Sequence, residues 1–165
     1  RSVLVSEDDL RASKEDSIFR QAIEREGRFD VLSETKVRPL DLINIAFYAP
    51  LKGLISDSFN LQDKHFGLDV LAPENEAIKA CLGGTIVFSD WTTETGYSIA
   101  IQHDNNLISF YKHNSVLLKK TGEQVKAGDV IAIIGNSGEF SSGPHLHFEM
   151  WHKGKAIDPE HHILF

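Results

Sequence analysis

From Gly53 onward, glycine cuts the chain into short runs in which apolar and polar residues alternate, and that rhythm leaves little room for helices. The runs fall at 54–59, 65–71, 77–80, 85–90, 97–103, 107–112, 130–134 and 146–151. A period of two marks a strand with one buried face, because successive side chains point to opposite sides. Gly122, Gly128, Gly135, Gly138, Gly143 and Gly154 separate the later runs, where tight turns are needed. Many short strands with almost no helical period predict an antiparallel, mainly β domain.

The first 49 residues read differently. Ser13 with Asp16 resembles an N-terminal capping box, Ile18, Phe19, Ala22 and Ile23 recur at helical spacing, and Gly27 supplies a stop. They predict one amphipathic helix of about 12 residues. Residues 29–50, interrupted by Pro39 and Pro50, read as a strap into the main domain. The expected division is a helical and extended strap at 1–49 and the main domain at 50–165.

A net charge of −7 with scattered basic residues argues against nucleic acid as a partner, because phosphate contacts need clustered Lys and Arg. The single cysteine, Cys81, has no intrachain partner for a disulfide. It lies in the apolar run 78–84 and reads as a small buried hydrophobe. No apolar stretch approaches the roughly 20 residues that span a bilayer. The chain starts at Arg1 rather than Met, so a signal peptide or membrane anchor is compatible with upstream sequence.

Two runs carry candidate chemistry. In Lys64-His65-Phe66-Gly67-Leu68-Asp69-Val70, strand alternation puts His65, Gly67 and Asp69 on one face and Phe66, Leu68 and Val70 on the other. The apolar face can enter a core, leaving an imidazole and a carboxylate in one space, with Gly67 keeping the gap between them open. In Gly143-Pro144-His145-Leu146-His147-Phe148-Glu149-Met150-Trp151, His145, His147 and Glu149 share one face, and Leu146, Phe148 and Met150 the other. Two histidines at i, i+2 can both bind one metal, or one can bind while the other works beside it. Each motif alone is an ordinary polar strand face. Together they offer the nitrogen and oxygen donors that zinc takes in an open, three-ligand catalytic site. The helical His-Glu-x-x-His arrangement is absent.

With these motifs the chain resembles the lysostaphin/LytM-type zinc metallopeptidases, which cut peptide bonds in the stems and cross-links of bacterial peptidoglycan. The resemblance spans roughly residues 50–160 and includes, in order, His65 to Asp69, Phe110-Tyr111-Lys112-His113, the run 125–135 leading into Gly138, and Gly143-Pro144-His145-Leu146-His147-Phe148-Glu149. It implies a β-sheet groove of the duplicated hybrid motif type, walled by loops near 91–96 and 136–143, and one Zn2+ per chain. It further implies His65, Asp69 and His147 as metal ligands, and His113 and His145 as catalytic histidines that handle a proton or stabilise an oxyanion. Asn114 departs from the family, which has an apolar residue after this histidine. Glu149 is expected to support a ligand rather than to bind metal. An unperturbed pKa at the two catalytic histidines would put an acid limb near pH 6.5. His103 is expected at the surface or core edge, and His161-His162 in a solvated tail.

The implied activity is zinc metalloendopeptidase action on peptidoglycan peptides in the cell envelope. Two rivals belong to other classes. A LytM-like regulatory domain would bind a cell-wall amidase or division protein without cutting, and such domains lose ligand or catalytic histidines, whereas all five stand here. A biotinyl or lipoyl carrier, suggested by the run 125–134, would need a lysine at an exposed hairpin tip and neither His145 nor His147.

Overall fold

The computed structural model describes residues 40–135 and 143–165. The expected N-terminal helix lies outside them. Among the described residues, ten strands join in one antiparallel sheet: β1 (Leu54–Asp57), β2 (Leu68–Leu71), β3 (Ala77–Lys79), β4 (Gly84–Thr92), β5 (Gly96–Gln102), β6 (Leu107–Leu117), β7 (Gln124–Val125), β8 (Val130–Ile134), β9 (His145–His152) and β10 (Lys155–Ile157). The main path runs β1-β2-β9-β6-β5-β4-β7, while β10 pairs β9 and β8 joins β3 to β6. The mainly antiparallel β architecture is the one the alternating runs predict. No helix among the described residues is long and apolar enough to cross a membrane.

One face of the sheet makes the core. Leu68 and Val70 on β2, Tyr111 on β6, and Leu146, Phe148 and Met150 on β9 are all fully buried there. Tyr111 lies opposite Phe148 across the ladder, with ring centroids 5.2 Å apart. Leu42, Ile45, Phe47 and Ala49 pack onto the same core, so residues 42–49 are fastened to the sheet. The opposite face carries a smaller cluster of Ala100, Phe110 and Trp151, with Phe66 and Phe88 against it.

Several expected boundaries move for identifiable reasons. The run 65–71 pairs only from Leu68, because Lys64 takes a left-handed φ of +56° and His65 instead closes a two-way bridge with Asn60. The run 107–112 continues to Leu117 by changing partner: Leu107 to Lys112 pair with β9, and Asn114 to Leu117 with β8. The short strands β7 and β10 are too brief to show a period in sequence.

His103, expected at the surface or core edge, is buried at 4% exposure. Its Nδ1–H donates to Gly83 O at 2.8 Å, which leaves Nε2 as the acceptor facing Ser109 Oγ at 2.7 Å. Ser109 Oγ meets Tyr111 Oη at 2.8 Å, and that oxygen accepts the Cys81 N–H at 3.0 Å. Cys81 is the buried hydrophobe expected, and burial pushes its thiol up to about 11. His162 packs its ring edge-on to Phe47 rather than trailing in solvent.

Burial holds the His103 pKa below its ordinary value, with Gly83 and Asp104 only partly opposing this. The folded form therefore binds fewer protons than the unfolded one, and the stability this contributes is full above about pH 6.5 and lost as pH falls below it. Urea unfolding at pH 7.5 and pH 5 should show a larger loss for the wild type than for His103→Gln, and equal losses would remove His103 as the cause.

Candidate metal centre

The site grows out of the pairing of β2 with β9. Asp69 lies directly opposite His147, and Leu68 opposite Phe148. Because side chains alternate, the register that buries Leu68 and Phe148 turns Asp69 and His147 together to the other face. His147 Nδ1 stands 2.8 Å from Asp69 Oδ1. Gly67 permits this closeness, since a Cβ there would lie 2.3 Å from Phe148 O and 2.7 Å from Glu149 Cγ. His65 reaches the same space from the β1–β2 loop, its Nε2 3.4 Å from Asp69 Oδ2. One donor atom from each of His65, Asp69 and His147 lies within 4.8 Å of the others.

The imidazoles are oriented as ligands. His65 Nδ1–H donates to Ser58 O at 2.7 Å, leaving Nε2 toward Asp69. His147 Nε2 meets Glu149 Oε2 at 2.7 Å, leaving Nδ1 toward Asp69. Glu149 is 1% exposed and also accepts from Lys112 Nζ at 3.0 Å and Trp151 Nε1 at 2.8 Å. This is the supporting role expected of Glu149. Lys112 lies opposite His147 on β6, a position that sequence reading passed over. Its signal was a lysine ending the mostly apolar run 107–112, whose charge must be paired if that face is covered.

The electrostatics favour added positive charge. The hydrogen bond to Asp69 raises His65 to about 9, against the opposing effect of burial. Burial opposes charge on His147 too, but its bonds to the Asp69 and Glu149 carboxylates outweigh this and raise it. Burial also works against ionised Asp69, yet the two imidazoles hold its carboxyl well below the usual range. Two nitrogens and a carboxylate oxygen with fixed orientations fit zinc.

His113 and His145 stand beside this cluster. Their ring centroids are 5.2 Å apart, and His113 is 6.0 Å from His147. His145 Nδ1–H donates to Gly143 O at 3.2 Å, leaving Nε2 as an acceptor. His113 occupies the residue where β6 leaves β9 for β8, with a left-handed φ of +67°. Such a backbone costs about 1–3 kcal/mol in a non-glycine residue. Buried Asn114 holds it: Nδ2 donates to Tyr111 O at 2.9 Å and Tyr97 O at 3.0 Å, bonds each worth about 0.5–1.5 kcal/mol. His113 N–H donates to Thr95 O at 2.9 Å, tying it to the turn between β4 and β5. Gly135 completes the kink, since a Cβ there would lie 2.3 Å from His113 O. The polar residue at position 114 thus supports the histidine before it. All five predicted site residues are brought together; of the two expected walls, the segment 136–142 lies outside the described residues.

An acid limb near pH 6.5 does not hold for His113. Burial, then the neighbouring His147 and His145, push its pKa to about 4. Its ring protons should titrate by NMR with a midpoint at or below about 4, since a nearby cation shifts it further down. A midpoint near 6.5 would mean an exposed ring.

The sequence model described as peptidase family M23 matches residues 63–159. Over 113 residues the chain is 33% identical to the murein hydrolase activator NlpD of Escherichia coli (strain K12), an alignment covering 67% of this chain and 29% of that protein. A zinc-containing peptidase from Vibrio cholerae matches with a TM-score of 0.64 at 28% identity, over 69% of this chain and 39% of that one. The catalytic domain of the antimicrobial peptidase lysostaphin from Staphylococcus simulans matches with a TM-score of 0.53 at 32% identity, over 58% of this chain and 76% of that one. The chain spans about a quarter to a third of the length of the curated relatives it matches.

Proposed function

The chain belongs to peptidase family M23, and from that premise we propose that it is a zinc metalloendopeptidase hydrolysing peptide bonds in peptidoglycan stems or cross-links, for cell-wall remodelling in the cell envelope. The catalytic unit is residues 50–165, with 1–49 as a strap. His65 Nε2, Asp69 and His147 Nδ1 hold one zinc ion, which supplies Lewis-acid polarisation of a carbonyl and acidifies water. Glu149 fixes the His147 ring and Lys112 balances the Glu149 charge. His145 Nε2 has its lone pair free to take a proton, and neutral His113 stands across from it to hold or pass one.

The observation that carries this reading is the pair His113 and His145 beside a complete donor set. A binding module has no use for two oriented, metal-free imidazoles at a metal, nor for the backbone strain that places His113. The likeness to NlpD favours a second reading, in which the domain activates a murein hydrolase without cutting.

Purified protein should carry about one zinc per chain, and His65→Ala, Asp69→Ala and His147→Ala should each lose it in elemental analysis. Chelated protein should keep its far-UV circular dichroism, because the main core lies on the other face of the sheet. Stoichiometric zinc in all three variants would remove the ligand assignment.

His113→Ala and His145→Ala should keep zinc yet release fragments from purified sacculi roughly 100-fold or more slowly. If His113→Ala cuts as well as the parent, its catalytic role is wrong. A zinc-loaded parent that cuts no sacculus, also after trimming residues 1–35, selects the activator reading.

A further inference from the structure

The first strand carries an irregularity that the sequence pattern does not demand. Ile55 pairs with Val70, and regular alternation would next set Ser56 opposite Asp69 and return Asp57 to the core face of Ile55. Instead the register shifts between Ile55 and Asp57, and Asp57 itself lies opposite Asp69. A bulge of this kind turns one side chain to the other face of a sheet. Ser56 Oγ donates to Asp69 O at 3.3 Å, tying the bulge to β2.

The re-aimed carboxylate approaches the His65 side of the metal centre. Asp57 Oδ2 stands 3.7 Å from His65 Nε2, beside Asp69 Oδ2 at 3.4 Å from the same nitrogen. That nitrogen is the one His65 offers outward, since its Nδ1–H is committed to Ser58 O. Two carboxylates therefore face one ligand nitrogen from neighbouring strands. Donors on one tetrahedral zinc, bonded at about 2.0–2.1 Å, are separated by roughly 3.3–3.5 Å. Asp57 lies near that spacing from His65 alone and outside the group of donors that lie within 4.8 Å of one another, so it reaches the ion by a turn of its side chain, which is 62% exposed against 24% for Asp69.

Given that His65, Asp69 and His147 hold the metal, we propose that Asp57 is a fourth protein donor, reaching the ion from the solvent side. Two neutral imidazoles and two carboxylates balance a divalent cation. Its exposure would make Asp57 the donor that exchanges with water or a substrate carbonyl once an ion is bound. It thereby tightens the resting site while leaving a route to the open one.

Zinc affinity, read by competition with a chromophoric chelator, tests this in the wild type, Asp57→Asn and Asp57→Ala at about 50 mM and about 500 mM NaCl. Both variants should bind zinc at least about 10-fold more weakly, no less than outer-sphere substitutions produce, and the deficit should persist at high salt, where a distant charge is screened. Cobalt-loaded protein should change its visible absorption when Asp57→Asn replaces a carboxylate. Unchanged affinity, or a deficit that vanishes at about 500 mM salt, overturns the fourth donor. If His65→Ala loses zinc while Asp57→Asn does not, only Asp57 is removed from the site. If His65→Ala keeps it, the metal reading itself fails.

Discussion

The register of β2 on β9 is the constraint from which the site follows. With Leu68 opposite Phe148, Asp69 opposite His147 and Val70 opposite Leu146, one ladder buries four apolar side chains on one face and joins two donors on the other. A slip of β2 by one residue would turn Leu68 and Val70 out of the core, at about 1.5–3 kcal/mol each. The core thus enforces a register that Asp69 and His147 alone could not, since their own interaction lies partly in solvent-screened space. Rigid ligand placement is a by-product of packing.

The two sides of the centre are built differently. His147 sits on a central strand over a buried carboxylate that takes three donors, from His147, Lys112 and Trp151. Truncating one partner of such a buried ion pair typically costs about 3–5 kcal/mol, so this side is stiff. His65 and Asp57 come from the bulged edge strand and its following loop, held by the Asn60–His65 bridge and the Ser58 carbonyl. A centre with a stiff side and a more exposed side would let a bound ion stay in place while its outer position exchanges.

Much of this was legible before the fold. Alternation located eight of the strands to within a few residues, and it put His145, His147 and Glu149 on one face because β9 is regular throughout. It failed where the backbone departs from a plain strand. His65 lies outside β2, the bulge before Asp57 inverts a side chain, and the left-handed residue at His113 turns β6 from one partner to another. Period-two reasoning assumes none of these. His103 was placed at the surface or core edge because nothing in its own segment shows that Ser109 will satisfy its ring in the core.

What the sequence by itself determined was a mainly β chain with two motif-bearing strands that carry His65, Asp69, His145 and His147 on their polar faces, because donor types and alternation are local properties; His113 entered only through the family resemblance. The tertiary structure alone decided that Asp69 and His147, 78 residues apart, become neighbours, that Lys112 lies beneath them, and that a departure at Asn114 props up a strained histidine. It also decided which nitrogen of each imidazole is free. Those outcomes depend on which strands pair and in what register, and that is settled by burying the apolar faces of the whole sheet at once, a balance no single segment contains.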